Sequence, residues 1–259
     1  MNLRFTFGRI CFAIAVIAFG GQHLLHGAYV TRVIPPLPSA IPVVPVVYMS
    51  GALLILIGVA LLLCVRVRPA GVALAAILTA SIALLYVPSL AVNPFQPGVI
   101  TNMFKAVALC GGVLVLMAGD DSEVHPPSRI DRLLPCGRYL FASFLVVAGV
   151  QHFMYPAFVA TLVPAWIPPG QLFWTYVAGV ALIAGGVCIV IPRTTYLAAN
   201  LVGVMILLWV PLLHIPRALV DLHNANETTA VFEALAFSGI AFMIAGLVSS
   251  RSETSPSIA

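Results

Sequence analysis

The chain has few residues that could do chemistry, and most of those recur. Gln22 and His23 stand near the end of one long apolar run, and Gln151 and His152 stand near the end of another. Each pair precedes a proline-rich stretch, "VIPPLP" in one case and "LVPAWIPP" in the other. An imidazole late in a membrane helix has three possible uses. It can hydrogen-bond to a neighbouring helix or to the loop above it, hold a polar ligand or quinone head group, or ligate a metal or haem. Haem ligation would need two imidazoles opposed across one iron, which the spacing does not show. His26 shares a helix face with His23, but Tyr155 stands in its place in the second copy. A zinc site would want more ligands. Hydrogen bonding, with the Gln-His pair satisfying the backbone of the proline-rich loop above it, and head-group binding both stay open.

Lys105 and Glu233 form a second matched set. Each stands about two turns in from the end of an apolar run. A charge at that depth is costly unless it is paired, snorkelled to the interface or facing water. Opposite signs at equivalent places invite a bridge between the two halves, and a ligand or proton role is the alternative. His214 follows Pro211 at the end of the seventh run, ahead of a loop holding Asp221, His223, Asn224 and Asn226. It is the best single candidate for a ligand contact, with capping as the competing role, and it makes the second half the expected working half. Trp166 is expected in the interfacial aromatic zone. No phosphate-binding glycine loop, C-x-x-C, G-x-S-x-G or paired-carboxylate metal motif is present. A complete catalytic apparatus therefore cannot be written.

The elements that position these residues follow from composition. Of 259 residues, 61% are hydrophobic and 8% charged, with a mean hydropathy of +1.10. Soluble domains are about a quarter charged. Continuous apolar runs lie near 9–29, 43–65, 69–90, 99–119, 137–156, 171–191, 195–214 and 229–248. Each is long enough to span a bilayer as a helix. The expected fold is therefore an all-α membrane protein with eight transmembrane helices. Arg4 and Arg9 give the first run the look of a signal peptide. Its pattern recurs in mid-chain, however, where no signal peptide could sit.

With eight spans, both termini and the even-numbered connections share one side. That side carries Arg4, Arg9, Arg66, Arg68, Arg129, Arg132, Arg138, Arg193 and Arg251, against Arg32 and Arg217 on the other. The positive-inside rule then places both termini in the cytoplasm, in a cytoplasmic (inner) membrane. His23, His26, His152, His214 and His223 fall towards the outer face, while four of the five cysteines fall towards the inner one. Thiol–disulfide exchange outside the membrane is not expected. The scattered basic residues give no nucleic-acid surface, and the expected partner is the lipid bilayer.

Sliding the chain along itself until Gly8 meets Gly137 lays Arg9, Phe12, Ala13, Gly20, Gln22, His23, Ala28, Val30 and Pro35 on identical residues as far as Pro164. Further on, "LLYVP" (84–88) answers "LLWVP" (207–211), and "MFKAVAL" (103–109) answers "VFEALAF" (231–237). The chain reads as two parallel four-helix bundle repeats, 1–119 and 137–249. They are joined by a polar linker, 120–136, and followed by a disordered tail, 250–259.

The half-repeat "GRYLFASFLVVAGVQHFMYPAFVATLVPAWIPP", the following "FWTYVAGVALIAGGVCIVI" and the fourth-span pattern "MFKAVALCGGVLVLMAG" resemble the DoxX-like integral membrane family. Its members are four-helix membrane proteins, so this chain looks like two fused units. The first half departs from the pattern, with Leu37 where the second has Trp166. The resemblance implies a membrane component near quinone or sulfur redox chemistry, with quinone as a possible cofactor and a soluble redox protein or membrane subunit as a possible partner. A binding or transport protein for a small amphipathic molecule and a non-catalytic scaffold subunit are the competing classes.

Overall fold

The computed structural model describes residues 2–30, 43–120 and 129–254, and these are helical with no strand among them. Among the described residues, eight helices are long and apolar enough to cross a membrane. That marks the chain as a multi-pass membrane protein. They are α1 (Leu3–His26), α2 (Val43–Leu62), α3 (Val67–Val92), α4 (Pro97–Ala118), α5 (Gly137–Met154), α6 (Gln171–Val190), α7 (Thr195–Val220) and α8 (Ala225–Thr254). Each corresponds to one expected span. The last runs past its expected end, so residues 250–254 are helix where a disordered tail was expected. Part of the expected linker is also ordered, as two short 3₁₀ turns, Ile130–Arg132 and Leu134–Cys136, that lead into α5. Arg68 of α3 pairs there with Asp131. The first proline-rich run, with Leu37, lies outside the described residues.

Local chemistry sets the helix ends. The Asn2 side chain accepts the Arg4 amide at 2.9 Å and so caps α1. The helix stops where Gly27 turns left-handed at φ 59°. Both are the residue types that such ends favour. α3 and α7 each change register before ending, through π-helical turns at Ile82–Tyr86 and Val210–His214. Pro88 and Pro216 lie just beyond these turns. A proline inside a helix has no amide to donate and crowds the preceding turn, and the wider π turn accommodates it.

The two π turns also correct the internal alignment. Laying Ile82–Tyr86 on Val210–His214 matches "LLYVP" (84–88) with "LLHIP" (212–216) rather than with "LLWVP". Tyr86 therefore corresponds to His214, and Ser81 to Trp209.

Packing gives α1, α4 and α8 the interior. Over their most apolar stretches 56%, 56% and 72% of residues are buried, against 17% in α3 and 28% in α7. The large exposed apolar side chains of α2, α3, α6 and α7 include Leu56, Leu84, Val180 and Leu201. They form a surface suited to lipid. Each half's first helix packs most heavily on its own second helix and on the other half's fourth: α1 on α2 and α8, α5 on α6 and α4. Glycines make this possible. A Cβ on Gly239 would fall 2.5 Å from the Gly8 carbonyl oxygen, and one on Gly111 would fall 2.6 Å from that of Gly137. The α1–α8 and α4–α5 crossings are thus backbone-to-backbone contacts of the small-residue type.

Candidate functional site

The polar residues singled out from the sequence collect at the end of the bundle away from the chain termini. There the C-terminal ends of α1 and α3 meet the N-terminal ends of α2, α4 and α8. Deepest is the ion pair. Lys105 Nζ on α4 donates to Glu233 Oε2 on α8 at 2.9 Å, and both residues are buried, 9% and 4% exposed. The two charges that the sequence placed at matching depths do meet. They neutralise one another where a lone charge could not be hydrated.

Each glutamine ties its helix to the fourth helix of the other half. Gln22 Nε2 donates to Thr228 Oγ1 at 2.7 Å, and Gln22 Oε1 accepts from Thr229 Oγ1 at 2.9 Å. Across the molecule Gln151 Oε1 accepts from Thr101 Oγ1 at 2.7 Å, and its amide reaches the Pro97 carbonyl. Thr101 and Thr229 are equivalent in the alignment that the π turns set. The glutamines are therefore clasps between helices, the first of the uses that the sequence left open. In the second half the proline-rich loop is satisfied from α6: Gln171 donates to the Val163 carbonyl at 2.6 Å and Trp174 to the Pro168 carbonyl at 2.9 Å.

The two histidines differ. His152 turns back on its own helix and donates from Nδ1 to the Ala148 carbonyl at 2.7 Å. His23 instead reaches across to α2, with Nδ1 3.1 Å from Ser50 Oγ, and Tyr29 packs edge-on against its ring at 4.9 Å. His214 is half-buried in the π turn of α7, and Trp166 is exposed on the loop before α6.

A cavity of about 480 Å³ opens beside His23. Its wall is largely apolar, formed by Phe12, Val16 and Phe19 of α1, Leu54 of α2, Leu74, Ile77 and Leu78 of α3, and Leu109 of α4. At one end His23, Tyr29, Ser50, Ser81, Asn102 and the Lys105–Glu233 pair supply polar groups. Of the sequence candidates, only His23, Lys105 and Glu233 line it. Gln22, Gln151, His152, Trp166 and His214 do not.

The cavity thus belongs to the first half, not to the half that the loop after α7 had favoured. Ser50, Ser81 and Asn102 were missed, although the sequence carried a signal for them. In the alignment set by the π turns their counterparts are Ala178, Trp209 and Ala230. The second half lacks these three polar groups, and Trp209 packs against the core where Ser81 borders open space.

A family model described as a domain of unknown function (DUF8561) matches residues 141–241, from α5 into α8. The match lies within the second half and does not reach the cavity-bearing first half. No curated protein and no solved structure matches the chain.

Proposed function

We propose that this protein binds a small amphipathic molecule of the quinone type in the first-half cavity, and that it serves as a component of a quinone- or sulfur-linked membrane redox system. The observation that carries the reading is the cavity itself. Its wall is apolar, and a few polar groups converge at one end. Small-molecule sites have this volume and this lining. Lys105 and Glu233 already compensate one another. A neutral head group therefore fits where a charged one would leave an unmatched charge. Val46 and Leu84 line the cavity and are also exposed on the outside of the bundle. The wall therefore reaches the surface between α2 and α3, the side from which a bilayer-dissolved molecule arrives.

The DoxX-like resemblance supports the redox part of the reading, with a soluble redox protein or a second membrane subunit supplying or receiving electrons. The arginine asymmetry supports cytoplasmic termini in an inner membrane, with the cavity towards the outer side. The second half, without the three polar groups, serves mainly to complete the bundle through Gln151 and Glu233.

The test is equilibrium binding of a short-tailed benzoquinone to the full-length protein in mild detergent. Saturable one-to-one binding, abolished in Asn102→Ala/Ser81→Trp, is expected; both replacements copy the residues of the second half. A quinone that binds wild type and variant alike would place it outside the cavity and overturn the reading.

A further inference from the structure

We infer that His23 offers a bare Nε2 to the cavity, so that the molecule held there is recognised through a hydroxyl group and its hydroxyl-bearing form is preferred. The inference rests on the cavity being a ligand site, and it names the head-group chemistry that the site selects.

Proton bookkeeping carries the argument. Ser50 Oγ donates to the Val47 carbonyl at 2.8 Å. That bond uses the only hydrogen a serine hydroxyl has. The same oxygen lies 3.1 Å from His23 Nδ1 and can only accept there, so Nδ1 carries a hydrogen. His23 is 3% exposed and makes no ion pair with a carboxylate among the described residues. Nothing there compensates an imidazolium, so the ring is neutral. A neutral imidazole protonated on Nδ1 has a lone pair on Nε2. That atom has no hydrogen-bond partner among the described residues, and His23 lines the cavity. The hydrogen-bond network thus assigns the tautomer, and the tautomer turns His23 into an acceptor.

The ligand must then supply the donor. Asn102 lines the same end of the cavity, and its side-chain amide also has no hydrogen-bond partner among the described residues. It can donate or accept and suits a second oxygen on the same head group. For a quinone-type molecule the preferred form is the quinol, which carries hydroxyls where the quinone carries only carbonyl acceptors. The second half repeats the tautomer but not the site: His152 gives its Nδ1 hydrogen to the Ala148 carbonyl of its own helix and does not line the cavity.

A matched pair of probes tests the inference without redox chemistry: a long-chain alkylphenol and its methyl ether, which differ in whether the ring oxygen carries a hydrogen. Binding of each to the full-length protein in detergent is measured by calorimetry. The phenol is expected to bind about five- to tenfold tighter, the value of one buried hydrogen bond. His23→Phe should bring the ratio to about one. Ser50→Ala leaves the imidazole in place but frees its tautomer, and should lower the ratio. Equal affinities in the wild type, or a ratio that survives both substitutions, would overturn the inference while leaving the cavity a ligand site. Binding of neither probe would overturn the ligand-site reading and the inference with it.

Discussion

Breaking the Lys105–Glu233 pair one side at a time should be far more damaging than removing it whole. Glu233→Gln leaves the Lys105 ammonium, 9% exposed in an apolar interior, without its counter-charge, and Lys105→Met does the same to the Glu233 carboxylate. Removing one member of a buried pair costs about 3–5 kcal/mol, because the remaining charge keeps its desolvation penalty and loses its partner. At roughly 2–4 °C per kcal/mol for a chain of this size, each single variant should unfold about 6–20 °C lower. The double variant Lys105→Met/Glu233→Leu removes both charges and should lie within a few degrees of wild type, as replacement of a buried pair by apolar side chains often does. The exchange Lys105→Glu/Glu233→Lys should recover most of the loss seen in either single reversal. The assay is thermal unfolding in detergent followed by size-exclusion chromatography. Refutation would come from a double variant as unstable as the sum of the singles, or from an exchange variant no better than either reversal.

Three further outcomes follow from the packing and the polarity of the ends. Gln22 and Gln151 clasp separate helix pairs that share no hydrogen-bonding residue. Gln22→Leu and Gln151→Leu should therefore each cost about 1 kcal/mol in thermal stability, and their effects should add. A side chain at Gly239 or Gly111 meets backbone across a helix crossing. Gly239→Leu and Gly111→Leu should each prevent accumulation of folded protein, as read from the yield of detergent-stable monodisperse material. Cys136 is exposed at the start of α5. It should react with a membrane-impermeant maleimide only in inside-out vesicles if the termini are cytoplasmic, and labelling in right-side-out vesicles would reverse the topology.

Much of the architecture was legible because membrane burial leaves coarse marks. Eight apolar runs yield eight helices, since the backbone has few other ways to satisfy itself in lipid. Lys105 and Glu233 were recognisable as partners because opposite charges stood at equivalent depths. Gln22 and Gln151 were flagged by type, but not their targets: the threonines that bind them lie on the other half's fourth helix, and clasping between halves has no signature in local spacing. The correspondence of Tyr86 with His214 was hidden by the chance likeness of "LLYVP" and "LLWVP", which only the matched π turns resolve. The cavity was hidden for a related reason. A void records what is missing, and Ser81 against Trp209 becomes informative only when the two positions are known to be equivalent. His214 drew attention because polar residues crowd the loop after it, whereas the ligand-sized space lies beside His23.

The central claim is that the first-half cavity holds a small amphipathic molecule, and native mass spectrometry of the protein purified in mild detergent tests it most directly. Wild type should carry a near-stoichiometric quinone-type adduct that is absent from Ser81→Trp, a variant that fills the cavity with the side chain the second half already uses. A wild-type protein that is empty, or an adduct retained undiminished in Ser81→Trp, would contradict the account.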